Sequence, residues 1–213
     1  RAVGAALAGC RRPAAAAAIV TLAEDPSIHV RGEVARALGR LRSPAAKAAC
    51  EALLGQASWM EVLRARALEG LGSLREAEVA GTLEAWTQPD RPPRARMAAV
   101  AALARLGDEV EAVRARAVER LLVLVSDEHY RVQVAAVSGL GTLRDSRALP
   151  VLRQLHAAGG DGRLRRWAYE AMANIRDGRA GESALSGIKR EIEGLVEENR
   201  KLRDRLNRLE DRK

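Results

Sequence analysis

The feature that most constrains the fold of this chain is an internal repeat with a period of a little over thirty residues. Five segments align without gaps, starting at Val30, Leu63, Ala95, Val132 and Leu164, which are 33, 32, 37 and 32 residues apart. Each carries apolar residues at i, i+4 and i+7, the spacing that lines one face of an α-helix. A second helical segment fits between consecutive copies, and the offset of 37 predicts a longer one from about Asp108 to Val125. Two helices per unit at this period are typical of an α-solenoid.

The composition agrees with closely packed helices. Aromatic residues make up 2% of the chain and Phe is absent, which disfavours β-sandwiches and barrels. A small residue follows the central apolar position of every copy: Gly39, Gly72, Ala104, Gly141 and Ala173. Because Gly inside a helix costs about 1 kcal/mol relative to Ala, its recurrence predicts close approach of a neighbouring helix. No apolar run approaches the ~20 residues of a membrane span, so we expect no membrane association.

The repeat resembles that of a known family. Residues 145–176, DSRALPVLRQLHAAGGDGRLRRWAYEAMANIR, resemble a HEAT repeat, with a first helix opened by Asp, a turn, and an arginine-bearing second helix. The resemblance implies an all-α HEAT-repeat α-solenoid of about five helical-hairpin repeats over residues 1–178. Residues 58–74 and 91–107 are further similar to the C-terminal HEAT region of bacterial aminopeptidase N-like zinc metallopeptidases. That likeness implies that the chain is the C-terminal part of such an enzyme, with the zinc domain upstream of Arg1.

The C-terminal segment has a different period. Apolar residues alternate in gaps of three and four along a heptad seam formed by Leu185, Ile188, Ile192, Leu195, Asn199, Leu202, Leu206 and Leu209. The pattern resembles a leucine zipper without its basic region, and it predicts one long coiled-coil helix over residues 185–213, after a linker at 179–184. Two β-branched seam residues, Leu at three of the four d positions, and one central Asn at a favour a parallel homodimer in which Asn199 pairs with its own copy. The alternative is that this helix packs on its own solenoid as a cap.

No catalytic constellation stands out. His29, His129 and His156 lie far apart, none in a metal-binding spacing, and no nucleophile or phosphate-loop motif occurs. We therefore expect a non-catalytic chain with no cofactor and no metal. Cys10 and Cys50 cannot build a disulfide framework, which favours a reducing, cytoplasmic location. The chain starts without Met, so we expect the native N-terminus, and any targeting segment in it, to lie outside this sequence.

The basic residues allow two interpretations. The net charge is +8, and a basic residue recurs in register at Arg31, Arg64, Arg96 and Arg165, broken once by Gln133. These arginines either form a ladder for an acidic protein surface or nucleic acid, or they donate to an Asp or a carbonyl in the preceding turn. We favour the structural interpretation, with Asp25 and Asp161 as example acceptors, and keep the four arginines as candidate partner-binding residues.

The three tryptophans complete the candidates. Trp86 and Trp167 are predicted to fill gaps between helix layers, and Trp59, at a helix start, to be an exposed anchor for a protein partner. The chain is therefore predicted to be a HEAT-repeat protein-interaction scaffold that dimerises through a coiled coil. The alternatives are a nucleic-acid-binding protein resembling alkylpurine DNA glycosylases, which is less favoured, and a lyase-type HEAT scaffold for a chromophore-bearing partner.

Overall fold

The regular structure of the described residues is entirely helical. The structure, a computed structural model, describes residues 15–158 and 161–210, and beyond residue 178 it describes side chains only at residue 188 and residues 191–200. In these ranges the α-helices are α1 (Ala16–Val20), α2 (Ile28–Leu41), α3 (Ala46–Leu54), α4 (Val62–Leu71), α5 (Ala80–Ala85), α6 (Pro93–Glu109), α7 (Glu111–Leu124), α8 (Tyr130–Leu143), α9 (Leu149–Ala157) and α10 (Gly162–Glu210). Single 3₁₀ turns precede α4, α5 and α9, at Trp59–Glu61, Ala77–Val79 and Ser146–Ala148.

The helices pair into hairpins in chain order. The second helices of successive pairs, α2, α4, α6 and α8, each pack against the next, and α3, α5 and α7 pack beside the second helix of their own pair. The fifth pair is α9 with the start of α10. This arrangement confirms the predicted all-α stack of helical hairpins.

The stripe predicted from the repeat is the core of the stack. Its members are buried in all five copies, except that Leu41 is half-buried: Val34, Leu38, Ala67, Leu71, Leu74, Ala99, Leu103, Leu106, Ala136, Leu140, Leu143, Ala168, Met172 and Ile175. One continuous apolar cluster joins these residues to side chains of the first helices such as Leu53, Leu83 and Leu152. The aromatic-poor composition follows, since leucine and alanine fill the space between the helices.

The recurrent glycines lie where helices approach closely, as predicted. A Cβ added at Gly39 of α2 would lie 2.2 Å from the carbonyl oxygen of Gly70 on α4. A Cβ at Gly72 would lie 2.7 Å from the Cβ of Ala102 on α6, and one at Gly141 would lie 2.9 Å from the Cα of Ala171 on α10. These distances are below ordinary van der Waals contact, so the neighbouring helices leave no room for a side chain at these positions.

The first helix of the fourth pair is the long one, which explains the offset of 37. It begins at Glu111, later than predicted, because α6 continues to Glu109 and Val110 alone separates the two helices. Its 14 residues compare with 5 to 9 residues in the other first helices.

The C-terminal helix runs unbroken from Gly162 to Glu210, and residues 179–184 are helical where a linker was predicted. Gly181, the glycine of this stretch, costs about 1 kcal/mol in a helix, but its neighbours Ala180 and Glu182 are good helix formers and the stretch has no proline. By contacts the chain divides into two units, Arg1–Ile175 and Arg176–Lys213. A search of the described helices finds none with the length and apolarity needed to cross a membrane.

Candidate protein-interaction surface

The recurring arginines of the second helices bind backbone carbonyls. The Nε of Arg64 donates to the carbonyl oxygen of Leu54 at 3.0 Å, that of Arg96 to Thr87 at 3.0 Å, and that of Arg165 to His156 at 3.1 Å. Each acceptor lies at or near the end of the preceding first helix, where carbonyls lack intrahelical partners. The favoured structural interpretation is therefore observed at these three positions.

Arg31 and the predicted aspartate acceptors differ from this pattern. The guanidinium of Arg31 donates to the side chain of Gln56 at 2.8 Å, and its buried Nε has no partner among the described residues. Asp25 and Asp161 are not the acceptors of Arg31 and Arg165, which donate to Gln56 and to the carbonyl oxygen of His156. Instead they accept from the backbone N–H groups of Ser27 and Arg163, at 2.8 and 2.7 Å, because a carboxylate at a helix start satisfies free N–H groups. The prediction that these two aspartates accept hydrogen bonds from the recurring arginines was wrong.

Arg96 has a second role between repeats. Its side chain is almost fully buried and forms a bidentate ion pair with Asp127, which also accepts from the backbone N–H of His129 at 2.9 Å. Burial by itself raises the pKa of Asp127, but the hydrogen bonds from Arg96 and His129 outweigh it and leave the pKa below the usual range. The pair ties the third repeat to the turn of the fourth.

Many of the remaining arginines form similar ties between neighbouring repeats. Their partners lie between 32 and 34 residues away, which is one repeat: Arg66 with Glu33, Arg75 with Glu109, Arg105 with Ser73, Arg116 with Glu84, and Arg120 with Thr87. Part of the chain's positive charge is thus used inside the stack. This use weakens the argument from net charge to a nucleic-acid partner.

A turn before α4 presents two large apolar side chains to solvent. Trp59 is 73% exposed and Met60 is 42% exposed. Met60 and Glu61 both have positive φ, 55° and 56°, a left-handed conformation that non-glycine residues rarely adopt. Arg94, from the next repeat, donates to the Met60 carbonyl oxygen at 3.5 Å. Trp59 is therefore exposed as predicted, on a turn joined to two repeats.

The other two tryptophans behave differently from each other. Trp86 packs against the core, as predicted, and the guanidinium groups of Arg64 and Arg91 lie 5.3 and 4.8 Å from its ring centroid. Trp167 is 40% exposed, so its prediction as a gap filler was wrong. Ala168, the next residue, takes the buried stripe position, and the rotation of about 100° per residue turns Trp167 away from it.

The histidines, the cysteine and the acidic residues of the described ranges do not gather into a metal-binding cluster. No set of three His, Cys, Asp or Glu residues there could hold a metal ion. His129 precedes α8, and His156 at the end of α9 contacts the ring of Tyr169. Cys50 is buried, and desolvation, assisted by nearby Glu51, raises the pKa of its thiol to about 12. Cys10 lies outside the described residues.

The heptad seam is partly described. Ile188, Ile192 and Leu195 are 52%, 54% and 60% exposed, and Asn199 is exposed as well. The side chains of the other four seam residues, Leu185, Leu202, Leu206 and Leu209, lie outside the described set. Val196, beside the seam, is also 64% exposed, so this face of α10 is a run of apolar side chains in solvent.

One recurrent feature was missed by the sequence reasoning. Arg42 and Arg144 directly follow the second helices α2 and α8, and Arg75 follows α4 in the same register. All three have positive φ, which is 50° for Arg42, 63° for Arg75 and 53° for Arg144. The sequence offers no clear signal for this feature, because Arg also closes the fifth aligned segment, at Arg176, where α10 continues as a helix, and Arg is not a residue from which a left-handed helix end is predicted.

Comparisons with known proteins agree with this architecture. The family described as HEAT repeats matches residues 1–62 and 110–173. The fold is similar to a chain in the structure of the complex of CpcE and CpcF of phycocyanin lyase from Nostoc sp. PCC7120, with 20% identity, a TM-score of 0.58, and coverage of 76% of this chain and 99% of that chain.

An engineered protein solved by a structural genomics consortium is also similar, with 21% identity, a TM-score of 0.53, and coverage of 84% of this chain and 89% of that one. No curated protein matches the sequence. The two structural likenesses show the fold, and the family match covers more than half of the sequence. The chain therefore belongs to the HEAT-repeat family.

Proposed function

We propose that this protein is a non-catalytic interaction scaffold that dimerises through its C-terminal helix and presents its HEAT repeats to a protein partner. The observation that carries the proposal is the exposed apolar face of α10, with Ile188, Ile192 and Leu195 more than half exposed at successive seam positions. Burying such a face stabilises association by about 25 cal/mol per Å² of apolar surface. A second copy of the helix offers the matching seam.

The polar residues of the seam support a parallel pair. Asn199 occupies an a position, where two copies in register hydrogen-bond each other and other registers leave a buried amide unpaired. Glu198 at g is opposite in charge to Arg203 at the partner's e position, and Arg205 at g is opposite in charge to Glu210 at e. Both pairs favour the parallel arrangement.

Leu195→Glu combined with Leu202→Glu tests the dimer. We expect light scattering to report a mass near twice the 23.0 kDa of one chain for the unaltered protein, and near one chain for the variant, because two carboxylates at d would be buried in the interface. Gly187→Glu combined with Gly194→Glu is the matched control, since it adds the same charge at outward c positions. An unchanged mass in the seam variant, or equal dissociation of the control, would contradict the dimer.

The HEAT unit is proposed to bind the partner, with Trp59 as the anchor. Trp, Met and Arg are enriched at the centres of protein interfaces, and here Trp59 and Met60 project beside Arg94. The test replaces Trp59 with a photo-crosslinking residue. The control makes the same replacement at Val123, which is 65% exposed on α7. We expect one defined crosslinked species from position 59 only; crosslinking to the same species from both positions would contradict a local anchor.

A lyase-related role is a second candidate. It is supported by the similarity in fold to a chain of the phycocyanin lyase complex, in which CpcE and CpcF are bound to each other. Mixing the purified protein with phycocyanin and following the absorbance spectrum tests this role. A change in the visible band of phycocyanin that the seam variant also produces would support a lyase-type activity of the HEAT unit, and an unchanged spectrum would count against it.

The similarity of residues 58–74 and 91–107 to aminopeptidase N-like zinc metallopeptidases stays a prediction about the wider gene. If the similarity reflects a true relationship, the reading frame upstream of Arg1 encodes a zinc-binding His-Glu-x-x-His motif. Sequencing that frame decides it. An upstream frame of several hundred residues without the motif would contradict the relationship.

A further inference from the structure

The arginines that follow the second helices form a column along one edge of the stack. Arg42, Arg75 and Arg144 occupy the same register position in the first, second and fourth repeats, and each has positive φ. In α2 the left-handed residue lets the N–H of Ser43 reach the carbonyl oxygen of Leu38 at 3.1 Å, which ends the helix. Glycine satisfies that geometry without a steric cost, so helix termination does not explain why arginine recurs.

The second member of the column shows what this position can bind. Arg75 forms a bidentate pair with Glu109 of the third repeat, with Nε–Oε2 and Nη2–Oε1 distances of 2.7 and 3.1 Å. The planar guanidinium fork fits a carboxylate in this way. The hydrogen bond from Arg75 is the main reason that the pKa of Glu109 is lowered, and the charges of Arg42 and Arg105 lower it further. One carboxylate therefore faces three guanidinium groups.

The outer members of the column keep their donors available. Arg42 and Arg144 are exposed, and no hydrogen bond or ion pair to another described side chain holds either guanidinium. Packed helices lie about 8–10 Å apart, and an extended chain rises about 3.3 Å per residue. The third repeat has Gly107 at this position, so Arg42 and Arg144 are three repeats apart, roughly 24–30 Å, which matches about seven to nine residues of an extended peptide.

We propose that the edge marked by Arg42, Arg75 and Arg144 binds an extended acidic segment of a protein partner, whose carboxylates about seven to nine residues apart pair with Arg42 and Arg144. The idea rests on the proposed scaffold function and adds the chemistry of the partner. A peptide suits this edge better than a nucleic acid, because Asp108, Glu109 and Asp145 are interspersed with the arginines and a continuous row of phosphates would meet them. A peptide can place its charges only opposite the guanidinium groups.

The test uses two fluorescein-labelled twelve-residue peptides of equal composition. One repeats Glu-Ser-Ser four times, and the other has its four Glu residues in one block. Fluorescence anisotropy with the full chain at low salt is expected to show at least fivefold tighter binding of the spaced peptide. The variant carrying Arg42→Gly and Arg144→Gly is expected to bind it at least tenfold more weakly, with a Tm equal to or above that of the unaltered protein, because glycine suits the left-handed backbone.

The control removes the same charge elsewhere. Arg131→Gln with Arg153→Gln alters two exposed arginines outside the column and is expected to change peptide affinity less than threefold. Equal loss in both double variants, equal affinity for the two peptides, or tighter binding of a twelve-nucleotide single-stranded DNA than of the spaced peptide would overturn the proposal. These outcomes are separable from the scaffold function, since the mass of the dimer is measured independently.

Discussion

Replacement of Gly39 by alanine tests whether backbone proximity holds the repeats together. In an exposed helix this change stabilises by about 1 kcal/mol. Here the new Cβ would lie 2.2, 2.6 and 2.7 Å from the carbonyl oxygen, Cα and carbonyl carbon of Gly70. These atoms belong to the backbone of α4 and cannot rotate away, so α2 and α4 must separate by about 1 Å to restore ordinary contact. A gap of that size forfeits a quarter to a half of the dispersion energy of each contact it opens.

The expected net effect follows from two opposing terms. Overpacking in a core costs about 1–3 kcal/mol, and the upper end applies to a clash with backbone. Subtracting about 1 kcal/mol for helix propensity leaves a destabilisation of about 2 kcal/mol. For a chain of this size that is a fall in Tm of about 4–8 °C. Urea unfolding followed by circular dichroism at 222 nm measures the free energy of unfolding, provided that the m-values agree.

Gly81→Ala is the matched control. Gly81 lies in α5, and a Cβ there would meet no atom within 4 Å, so the same substitution is expected to stabilise by about 0.5–1 kcal/mol. Gly70→Ala adds a further check, because its Cβ would lie 2.8 Å from both the Ala35 carbonyl oxygen and the Sγ of Cys50. Once one alanine has separated the helices, the second should cost less than it does alone. If Gly39→Ala stabilised the protein as Gly81→Ala does, the argument from close approach would be refuted.

Three further predictions concern buried polar groups. Arg96→Ala is expected to lower the free energy of unfolding by about 3–5 kcal/mol in urea titrations, because it leaves the buried Asp127 without its partner. Arg165→Ala is the control: Arg165 has the same register but is exposed, so its loss should cost at most about 1.5 kcal/mol. The pKa of Asp127 is lower in the folded than in the unfolded chain, so its charge contributes its full stabilisation above the unfolded pKa near 4 and loses it as the pH falls through the folded pKa. The free energy of unfolding measured from pH 6 to pH 2 should therefore fall more steeply in the unaltered protein than in Asp127→Asn. Parallel curves would contradict this. Cys50, with its thiol pKa raised to about 12, should resist iodoacetamide at pH 8 until urea unfolds the chain, and rapid alkylation of the native protein in peptide mass spectra would show that the thiol is accessible.

The repeat register alone is enough to predict the helical pairs and their buried faces. Apolar spacing depends only on helical geometry, so the sequence places residues such as Leu103 and Leu140 correctly in the core. The glycine positions were also predictable, since an unfavourable residue that recurs in register needs a packing reason. The HEAT-repeat family came from the resemblance of residues 145–176 to a known repeat, and the family match confirms it.

The surface was less predictable, because it depends on side-chain contacts between repeats. The register showed that Arg64 and Arg96 recur but not which acceptors they reach, since carbonyls at a helix end have no signature in the sequence. Trp167 was misplaced because a large apolar residue next to the stripe can face either the core or the solvent. The left-handed Met60 and Glu61 were missed for a related reason: nothing in their residue types requires positive φ.

The arginine ties also bear on how such a chain can lengthen. Arg75 pairs with Glu109 and Arg116 pairs with Glu84, and both glutamates belong to the third repeat, so this repeat supplies the acceptors and its two neighbours supply the donors. A tandem copy of the second repeat would place Ala77, in the register of Glu109, opposite the first copy's Arg75. Growth by whole repeats therefore preserves the apolar stripe but leaves such an arginine without its carboxylate.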